Sequence, residues 1–332
     1  MLDFKHIIGH EQIKQHLREA ILSGKVSHAY IFSGEDGAGK NMLAHAFAMS
    51  LQCEKRDLAD ACGKCHSCIQ AASGNHPDII RVTHEKVSIG VDDVRIQVNN
   101  DIPIKPYSSP YKIYIIDEAE KLTEAAQNAL LKTIEEPPAY AVLILLTNNL
   151  SALLPTILSR CITLKLKAVD SEQIKQFLMT EYKIPDYQAE LSAAFAQGNV
   201  GKAIKYASSD EFIELKDEVL HLLKYLDQMK LYEIIDGLKQ ISEKKDKIND
   251  YLDLMTIWYR DILMYKVTGD LNRLTYKNEY QDIKKQANIL SYEGIEKIIG
   301  AIEKAKIRIN ANVNFDIAME LMLFTIKESC NG

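Results

Sequence analysis

The sequence predicts an α/β fold in which a parallel β-sheet with a phosphate-binding loop is followed by helical domains. Three observations indicate this fold. Short apolar runs alternate with helical patterns up to residue 167, a glycine-rich turn follows the first run, and long amphipathic patterns fill the rest of the 332-residue chain. Continuous apolar runs are typical of strands that helices cover on both faces. Pro185 is the only proline beyond Pro155, so long unbroken helices are expected there.

Changes in these patterns divide the chain into three predicted domains. Residues 1–167 hold the sheet, residues 168–207 hold three short helices, and residues 208–332 form a purely helical domain. The length agrees with this division, since a domain commonly holds about 100–200 residues.

Composition excludes several classes of protein. Hydrophobic residues make up 47% and charged residues 26% of the chain, which excludes disordered and fibrous proteins. Forty Lys+Arg stand against 46 Asp+Glu, a net charge of −6, so binding to nucleic acid by bulk charge alone is not expected. The first ten residues lack a secretion signal and no apolar run reaches about 18 residues, which predicts a cytoplasmic protein.

Five short runs of aliphatic and β-branched residues predict the strands of the sheet. They are Ala29–Phe32, Ile79–Val82, Ile113–Ile116, Val142–Leu146 and Ile162–Leu166. Helical segments lie between them, for example Asn41–Leu51 and Thr123–Ile134. Because strands and helices alternate, the strands are expected to be parallel. Three short helices are predicted after the last strand: Asp170–Tyr182, Tyr187–Gln197 and Gly201–Tyr206.

Four of the six cysteines form a cluster with the spacing of a metal site. The pattern C-x8-C-x2-C-x2-C is formed by Cys53, Cys62, Cys65 and Cys68. Two-residue gaps allow neighbouring thiolates to reach one tetrahedral ion, and four sulfur ligands suit a structural Zn²⁺. The cluster therefore predicts a zinc module at residues 53–68. Two alternatives remain: His66 replaces one sulfur, or the cluster is a chance group of buried thiols.

The glycine-rich turn after the first predicted strand has the features of a phosphate-binding loop. Residues 34–41 read GEDGAGKN, and the residues expected to hold phosphate are Gly34, Gly37, Gly39 and Lys40. Glycines let backbone N–H groups curl around phosphate oxygens, and the start of the following helix adds a favourable dipole. The usual signature has Ser or Thr, a Mg²⁺ ligand, where this chain has Asn41. The longer, neutral amide predicts weakened Mg²⁺ positioning and leaves two readings open, binding of ATP with Mg²⁺ or a loop kept for its turn geometry.

Polar side chains end the two apolar runs that follow. Asp117 and Glu118 come directly after Ile113–Ile116, and Asn148 follows Val142–Leu146. The carboxyl ends of parallel strands face the ligand crevice of such a sheet. Asp117 would hold Mg²⁺ through water, Glu118 would polarise the attacking water, and Asn148 would contact a γ-phosphate. A helix cap or a turn is the simpler alternative for each of them.

Four further stretches carry a family resemblance: His28–Gly34, Ala126–Pro138, Leu154–Cys161 and Asn310–Asn314. The sequence resembles the clamp-loader subunits of bacterial DNA polymerase III, which are members of the AAA+ family, and within them the delta-prime subunits. The resemblance covers most of the chain. It implies that the second and third predicted domains are the lid and the collar of an AAA+ subunit.

In that family, Arg160 would be an arginine finger that reaches into the ATP site of a neighbouring subunit. A guanidinium suits this role because it is planar, permanently charged and able to bridge phosphate oxygens. A surface arginine paired with a carboxylate is the alternative. The arginine that senses γ-phosphate in active subunits is replaced here by Gly201, beside Lys202.

The resemblance implies a stator-type subunit of the DNA polymerase III holoenzyme, a DNA-directed DNA polymerase, with no polymerase chemistry of its own and weak or absent ATPase activity. Its partners would be gamma/tau and delta subunits in a five-subunit ring at the replisome, which opens the sliding clamp and places it on primer–template DNA. An active gamma/tau-like ATPase is the nearest alternative. A small-molecule phosphotransferase and a nucleic-acid-binding cysteine finger are the others, although acidic residues balance the basic residues of the module.

Overall fold

The computed structural model describes residues 3–226, 228–230, 233, 247–311 and 313–331, without the side chains of residues 210, 330 and 331. The chain forms two compact units, Met1–Ile204 and Lys205–Gly332. The finer division at residues 167 and 207 stays a prediction. Within the resembling stretch near the end of the chain, Asn312 lies outside the described residues.

A five-stranded parallel sheet forms the centre of the first unit. The strands are β1 (Ala29–Ser33), β2 (Ile79–Val82), β3 (Lys112–Ile116), β4 (Ala141–Thr147) and β5 (Ile162–Lys165). Their order across the sheet is β2-β3-β4-β1-β5. All five predicted strands and their parallel pairing are confirmed. Every residue of β1, β3 and β4 is buried, because helices cover both faces of these central strands.

The helices that begin in this unit are α1 (Glu11–Ser23), α2 (Lys40–Gln52), α3 (His66–Ala72), α4 (Val91–Val94), α5 (Glu124–Glu135), α6 (Pro155–Leu158), α7 (Ser171–Glu181), α8 (Asp186–Ala196) and α9 (Val200–Ala207). On one face of the sheet, Phe47 of α2 packs in a buried cluster with Phe32 of β1. On the other face, Leu130 of α5 packs in a cluster with Leu143 of β4. Each such side chain, fully buried, contributes about 1.5–3 kcal/mol to folding.

Local signals explain where the helices near the site begin and end. Thr123 caps α5, since its hydroxyl accepts a hydrogen bond from the backbone N–H of Ala126. The helix ends at Glu135, because the next residue, Glu136, precedes Pro137 and is therefore disfavoured in a helical conformation. Pro155 is the first residue of α6, where its missing N–H costs no hydrogen bond.

The second unit is helical: α10 (Asp210–Tyr225), α11 (Ile248–Thr268), α12 (Tyr280–Ile289), α13 (Tyr292–Asn310) and α14 (Phe315–Asn331). Trp258 is fully buried in its core and donates a hydrogen bond from Nε1 to Oε1 of Gln286 over 2.9 Å. In α14, by contrast, Ile317 and Leu321 are about half exposed, because Ala318 and Met322 face the core instead. Among the described residues, no helix has the length and apolar character required to cross a bilayer.

Candidate functional site

The candidate ligand pocket lies at the carboxyl edge of the sheet. Ser33 at the end of β1 pairs with Thr147 at the end of β4, and β3 ends beside them. The loops that follow these three strands therefore meet at one edge of the sheet. A cavity of about 480 Å³ opens there, and its lining includes Gly37, Gly39, Lys40, Asn41, Asp117 and Glu118.

The glycines give the loop its shape. Gly37 has φ +85° and Gly39 has φ +97°, conformations that other residues rarely adopt. Gly39 directly precedes α2, so the N–H groups at the start of this helix face the loop. Gly34 donates its N–H to the carbonyl oxygen of Thr147 over 3.1 Å, which ties the loop to the end of β4.

Lys40 points back into its own loop. Its side chain is buried, and Nζ donates to the carbonyl oxygens of Gly34 at 2.6 Å and Glu35 at 3.1 Å. The third acceptor is Oδ1 of Asp36, at 3.2 Å. The ammonium is therefore held by three oxygen atoms of its own loop.

Asn41, in the position of the usual Mg²⁺ ligand, bonds to protein groups on both sides. Its Nδ2 donates to Oδ2 of Asp117 over 2.5 Å, and its Oδ1 accepts a hydrogen bond from the guanidinium of Arg81 over 2.8 Å. The carboxylate expected to hold Mg²⁺ is thus engaged by an amide N–H, and a cationic side chain lies next to it. Because Mg²⁺ requires oxygen ligands in near-octahedral geometry, these residues fit a hydrated Mg²⁺ ion poorly.

The other two polar side chains of the predicted site lie at the same edge. Nδ2 of Asn148 donates to Oδ2 of Asp36 over 3.3 Å. Glu118 has φ +50° and accepts a hydrogen bond from Nζ of Lys121 over 2.7 Å, a contact that raises the pKa of Lys121. Nε2 of His84 lies 3.7 Å from the second carboxylate oxygen of Glu118. Glu118 therefore lines the cavity as a carboxylate that already has a cationic neighbour, Lys121.

The residue before α9 and the first turn of that helix contact the phosphate loop. Asn199 is buried and donates from Nδ2 to the carbonyl oxygen of Asp36 over 2.7 Å. Gly201 donates its N–H to the carbonyl oxygen of Gly37 over 2.9 Å. A Cβ atom at Gly201 would lie only 2.7 Å from Cα and 3.0 Å from the carbonyl oxygen of Gly37. The absence of a side chain at residue 201 is therefore a requirement of this packing.

Arg160 lies at a different corner of the unit, just after α6. Its NH2 group is 2.8 Å from Oε1 of Glu135, and its NH1 group donates to the carbonyl oxygen of Thr156 over 3.1 Å. The side chains of Arg160 and Glu135 are 40% and 47% exposed. Next to it, burial raises the pKa of the Cys161 thiol to about 12, so that this neighbour is uncharged at neutral pH.

A buried glutamine fixes the chain that leads to this corner. The side chain of Gln127 donates to the carbonyl oxygens of Leu122 at 3.1 Å and Ala152 at 2.9 Å. Its Oε1 accepts a hydrogen bond from the N–H of Leu154 over 2.7 Å. Helix α5 thus holds the start of α6, and through α6 it positions Arg160.

The four predicted metal ligands converge. The ligand atoms of Cys53, Cys62, Cys65 and Cys68 all lie within 4.8 Å of one another. The sulfur of Cys53 is 3.9 Å from that of Cys65, and the sulfur of Cys62 is 4.0 Å from that of Cys68. Sulfur atoms bound to one tetrahedral Zn²⁺ at 2.3 Å lie about 3.8 Å apart, so these residues fit a zinc ion.

Backbone N–H groups lower the pKa of one of these thiols, which favours the thiolate form that a metal binds. The N–H of Lys64, at 3.5 Å, is the main cause that lowers the pKa of Cys62 to about 6. Burial raises the pKa of Cys53 and Cys68. Gly63, with φ +66°, makes the turn between the ligands, and His66 is exposed.

Seven residues were predicted for the phosphate site, and the structure brings six of them together beside Glu118: Gly37, Gly39, Lys40, Asn41, Asp117 and Asn148. The seventh, Gly34, contributes its backbone carbonyl, which accepts a hydrogen bond from Lys40. The structure keeps Arg160 apart from them. Sequence reasoning missed Asp36, Arg81, Asn199 and Glu135. Asp36 carried a signal, since it is an acidic residue inside a loop that is predicted to bind anions. The other three depend on contacts between distant parts of the chain.

Comparison with known proteins shows consistent similarities. A family model described as "DNA polymerase III, delta subunit" matches residues 9–170. The chain is 31% identical to the DNA polymerase III subunit delta' of Bacillus subtilis over 94% of both chains. It is 27% identical to the DNA polymerase III subunit tau of Bacillus subtilis, over 98% of this chain and 62% of that protein. A DNA polymerase III gamma subunit-related protein of Thermotoga maritima matches with a TM-score of 0.47 and 19% identity, over 95% of this chain and 99% of that one.

Proposed function

The chain belongs to the DNA polymerase III clamp-loader subunit family that includes delta', and from this premise we propose that it is a delta-prime stator that donates Arg160 to the ATP site of a neighbouring subunit. In this role it helps to load the sliding clamp onto primer–template DNA. The family membership rests on the 31% identity to a delta' subunit over 94% of the chain. The division of labour between its two sites is our inference.

The observation that carries the proposal is the environment of Arg160. Its guanidinium is 40% exposed at the end of a short helix, and its acidic partner Glu135 is 47% exposed. Ion pairs as exposed as this one contribute about 0–1 kcal/mol, so an incoming triphosphate can replace the carboxylate at little cost. A guanidinium that bridges phosphate oxygens stabilises the charge that develops during phosphoryl transfer.

The chain's own pocket supports the same division. Asn41 donates a hydrogen bond to Asp117, the carboxylate expected to hold a metal, and Gly201 leaves no side chain to sense a γ-phosphate. We therefore expect weak or absent ATP hydrolysis at this pocket, with Glu118 vestigial. Lys40, Asn148 and the N–H groups of the loop glycines would be the donors for phosphate groups, and Lys40 and Asn148 both bond to Asp36 in this structure.

The remaining assignments follow from the family. The partners would be gamma/tau and delta subunits in a heteropentamer, and contact with the clamp and DNA would come through that complex. Residues 168–207 would form the lid and residues 208–332 the collar of an AAA+ subunit. The protein would act in the cytoplasm at the replisome, within a DNA-directed DNA polymerase holoenzyme whose polymerase chemistry lies in another subunit.

We assign a structural Zn²⁺ to the cysteine module. Four sulfur ligands fill a tetrahedral ion, so the metal would cross-link the module and leave no position for a substrate. Cys53 directly follows α2, and Cys65 and Cys68 flank the start of α3. The ion would thus fasten α3 to the helix that begins at the phosphate loop.

The test combines two measurements of ATP turnover. The isolated chain is expected to turn over little or no ATP. In the assembled, clamp- and DNA-stimulated complex, Arg160→Ala should reduce turnover at the neighbouring site by about 10³-fold, the lower end of the range for an arginine finger. Arg160→Lys keeps the charge without the planar fork and should recover only part of the loss. Normal turnover by the Arg160→Ala complex would refute the proposed role.

A gamma/tau-like ATPase is the second candidate, favoured by the similarity to tau over 98% of this chain and by the presence of Lys40 and Glu118 in the cavity. Robust turnover by the isolated chain that Lys40→Ala abolishes would establish it instead.

A further inference from the structure

Asp36 occupies the two donors that the pocket would offer to a terminal phosphate. One carboxylate oxygen, Oδ1, accepts a hydrogen bond from Nζ of Lys40 at 3.2 Å, and the other, Oδ2, accepts one from Nδ2 of Asn148 at 3.3 Å. Lys40 belongs to the helix after β1, and Asn148 follows β4. A carboxylate and a phosphate share negative charge and several acceptor oxygens, so both satisfy the same pair of donors.

The position of Asp36 is built into the fold. The amide of Asn199, which is 5% exposed, donates to the carbonyl oxygen of Asp36 over 2.7 Å. Gly201 holds the next carbonyl, that of Gly37, over 2.9 Å, at a distance that admits no side chain. The backbone of the loop is therefore held at two successive residues, Asp36 and Gly37. The carboxylate of Asp36 is 84% exposed, which leaves it in the mouth of the pocket.

We propose that Asp36 is an internal stand-in for the terminal phosphate and makes this pocket select nucleoside diphosphates over nucleoside triphosphates. The inference rests on the proposed function in one respect, the assignment of the pocket to nucleotide phosphates. A third phosphate group has to displace the carboxylate from Lys40 and Asn148 and lies beside its negative charge. A diphosphate ends before that position, and it finds N–H groups of the glycine loop and of the start of α2 still available.

The poor fit of the pocket to Mg²⁺ strengthens this selection. In active sites the ion offsets the added charge of a triphosphate, whereas here Asn41 engages Asp117. Triphosphate binding therefore has little help from a metal. The preference for the diphosphate is expected with and without Mg²⁺.

Calorimetric titration of the isolated full chain with ADP and with ATP, each with Mg²⁺ and with EDTA, tests the proposal. The unsubstituted chain should bind ADP about tenfold or more tightly than ATP. Asp36→Ala removes the acceptor that engages Lys40 and Asn148. It should tighten ATP binding by about tenfold, because a charge-assisted hydrogen bond no longer competes with the terminal phosphate. The affinity for ADP should change by less than about threefold. The exposed side chain makes unfolding of this variant unexpected, and its circular dichroism spectrum checks this.

Glu35→Gln is the matched control, because it removes the same charge one residue earlier in the loop. It should change the ratio of the two affinities by less than about threefold, since the residue touches Lys40 only through its backbone carbonyl. Three results would overturn the proposal. The unsubstituted chain binds ATP as tightly as ADP, or Asp36→Ala leaves the ratio of the ATP and ADP affinities unchanged. The third is that neither the unsubstituted chain nor Asp36→Ala binds either nucleotide. None of them bears on Arg160, whose test uses the assembled complex.

Discussion

The phosphate pocket and the Arg160 corner lie in the same unit, and the cationic side chains of the two regions differ in burial and in hydrogen bonding. In the pocket, Lys40 is 8% exposed and bonded to three oxygens of its own loop. At the corner, Arg160 is 40% exposed and shares one ion pair with an equally open Glu135. The positive charge of Lys40 is therefore satisfied by the chain's own oxygen atoms, whereas that of Arg160 is presented at the surface.

The difference has an energetic side. Breaking the pocket requires the loss of several hydrogen bonds among partly buried groups, each of which contributes about 0.5–1.5 kcal/mol, or more where a charge is involved. Releasing Arg160 breaks one exposed ion pair, which contributes about 0–1 kcal/mol, and its exposed hydrogen bonds to Thr156 and Ser159. A bound phosphate therefore competes against a closed network in the pocket and against a weak contact at the corner.

Removal of the proposed zinc ion is expected to have the largest effect on the phosphate pocket. Met49 of α2 shares a buried cluster with Cys53 and Cys68, so the module supports the helix that begins at the phosphate loop. Structural zinc sites contribute about 10 kcal/mol or more to folding of their modules. Chelation, or Cys62→Ser, should release one zinc per chain and lower the thermal midpoint of unfolding.

The half-buried Cys161 provides the control, because it lies outside the cluster. Cys161→Ser should keep the zinc, as measured by elemental analysis. A purified chain without metal, whose melting a chelator leaves unchanged, would contradict the assignment.

A side chain at residue 201 should open the pocket. Gly201→Ala places a Cβ atom 2.7 Å from Cα of Gly37, so the loop has to move. Overpacking of this kind typically costs about 1–3 kcal/mol, and we expect that loss in the free energy of unfolding measured with urea.

Gly300→Ala is the matched control for this substitution. Nothing lies within 4 Å of the added atom, and the residue lies inside helix α13, so the change should stabilise the chain by about 0.5–1 kcal/mol. Equal effects of the two substitutions would show that Gly201 has no special role in holding the loop.

The smallest effect is expected at the corner. Glu135→Gln removes the charge that faces Arg160 and should change the free energy of unfolding by less than about 1 kcal/mol, because both side chains are about half exposed. Chemical denaturation at low and at high salt measures it. A loss of several kcal/mol would mean that Arg160 is a structural residue held in place, and the contrast between the two regions would fail.

Patterns within short stretches predicted much of this molecule. The five strands could be placed because runs such as Val142–Leu146 are apolar throughout, and β4 is buried along its whole length. The cysteine spacing predicted a converging cluster, which the structure confirms. In α14, however, Ile317 and Leu321 are apolar residues that are about half exposed, which their residue types do not indicate.

Contacts across long sequence separations could not be predicted. The bond from Asn199 to the carbonyl of Asp36 spans 163 residues, and that from Asn148 to its carboxylate spans 112. Gly201 marked a missing arginine in the sequence, whereas its close packing against Gly37 depends on the placement of α9. The residue types alone predicted which groups of the pocket can donate hydrogen bonds. The acceptors that these groups bond to depend on the folded structure.

Parallel measurement of Lys40→Ala and Arg160→Ala in the assembled clamp-loader complex distinguishes a site that works in the neighbouring subunit from one that works in this chain. Each variant is incorporated in place of the unsubstituted chain, assembly is checked by gel filtration, and stimulated ATP turnover is recorded. The account predicts a loss of about 10³-fold at the dependent site for Arg160→Ala and less than about threefold for Lys40→Ala. A large loss for Lys40→Ala together with normal turnover for Arg160→Ala would contradict it.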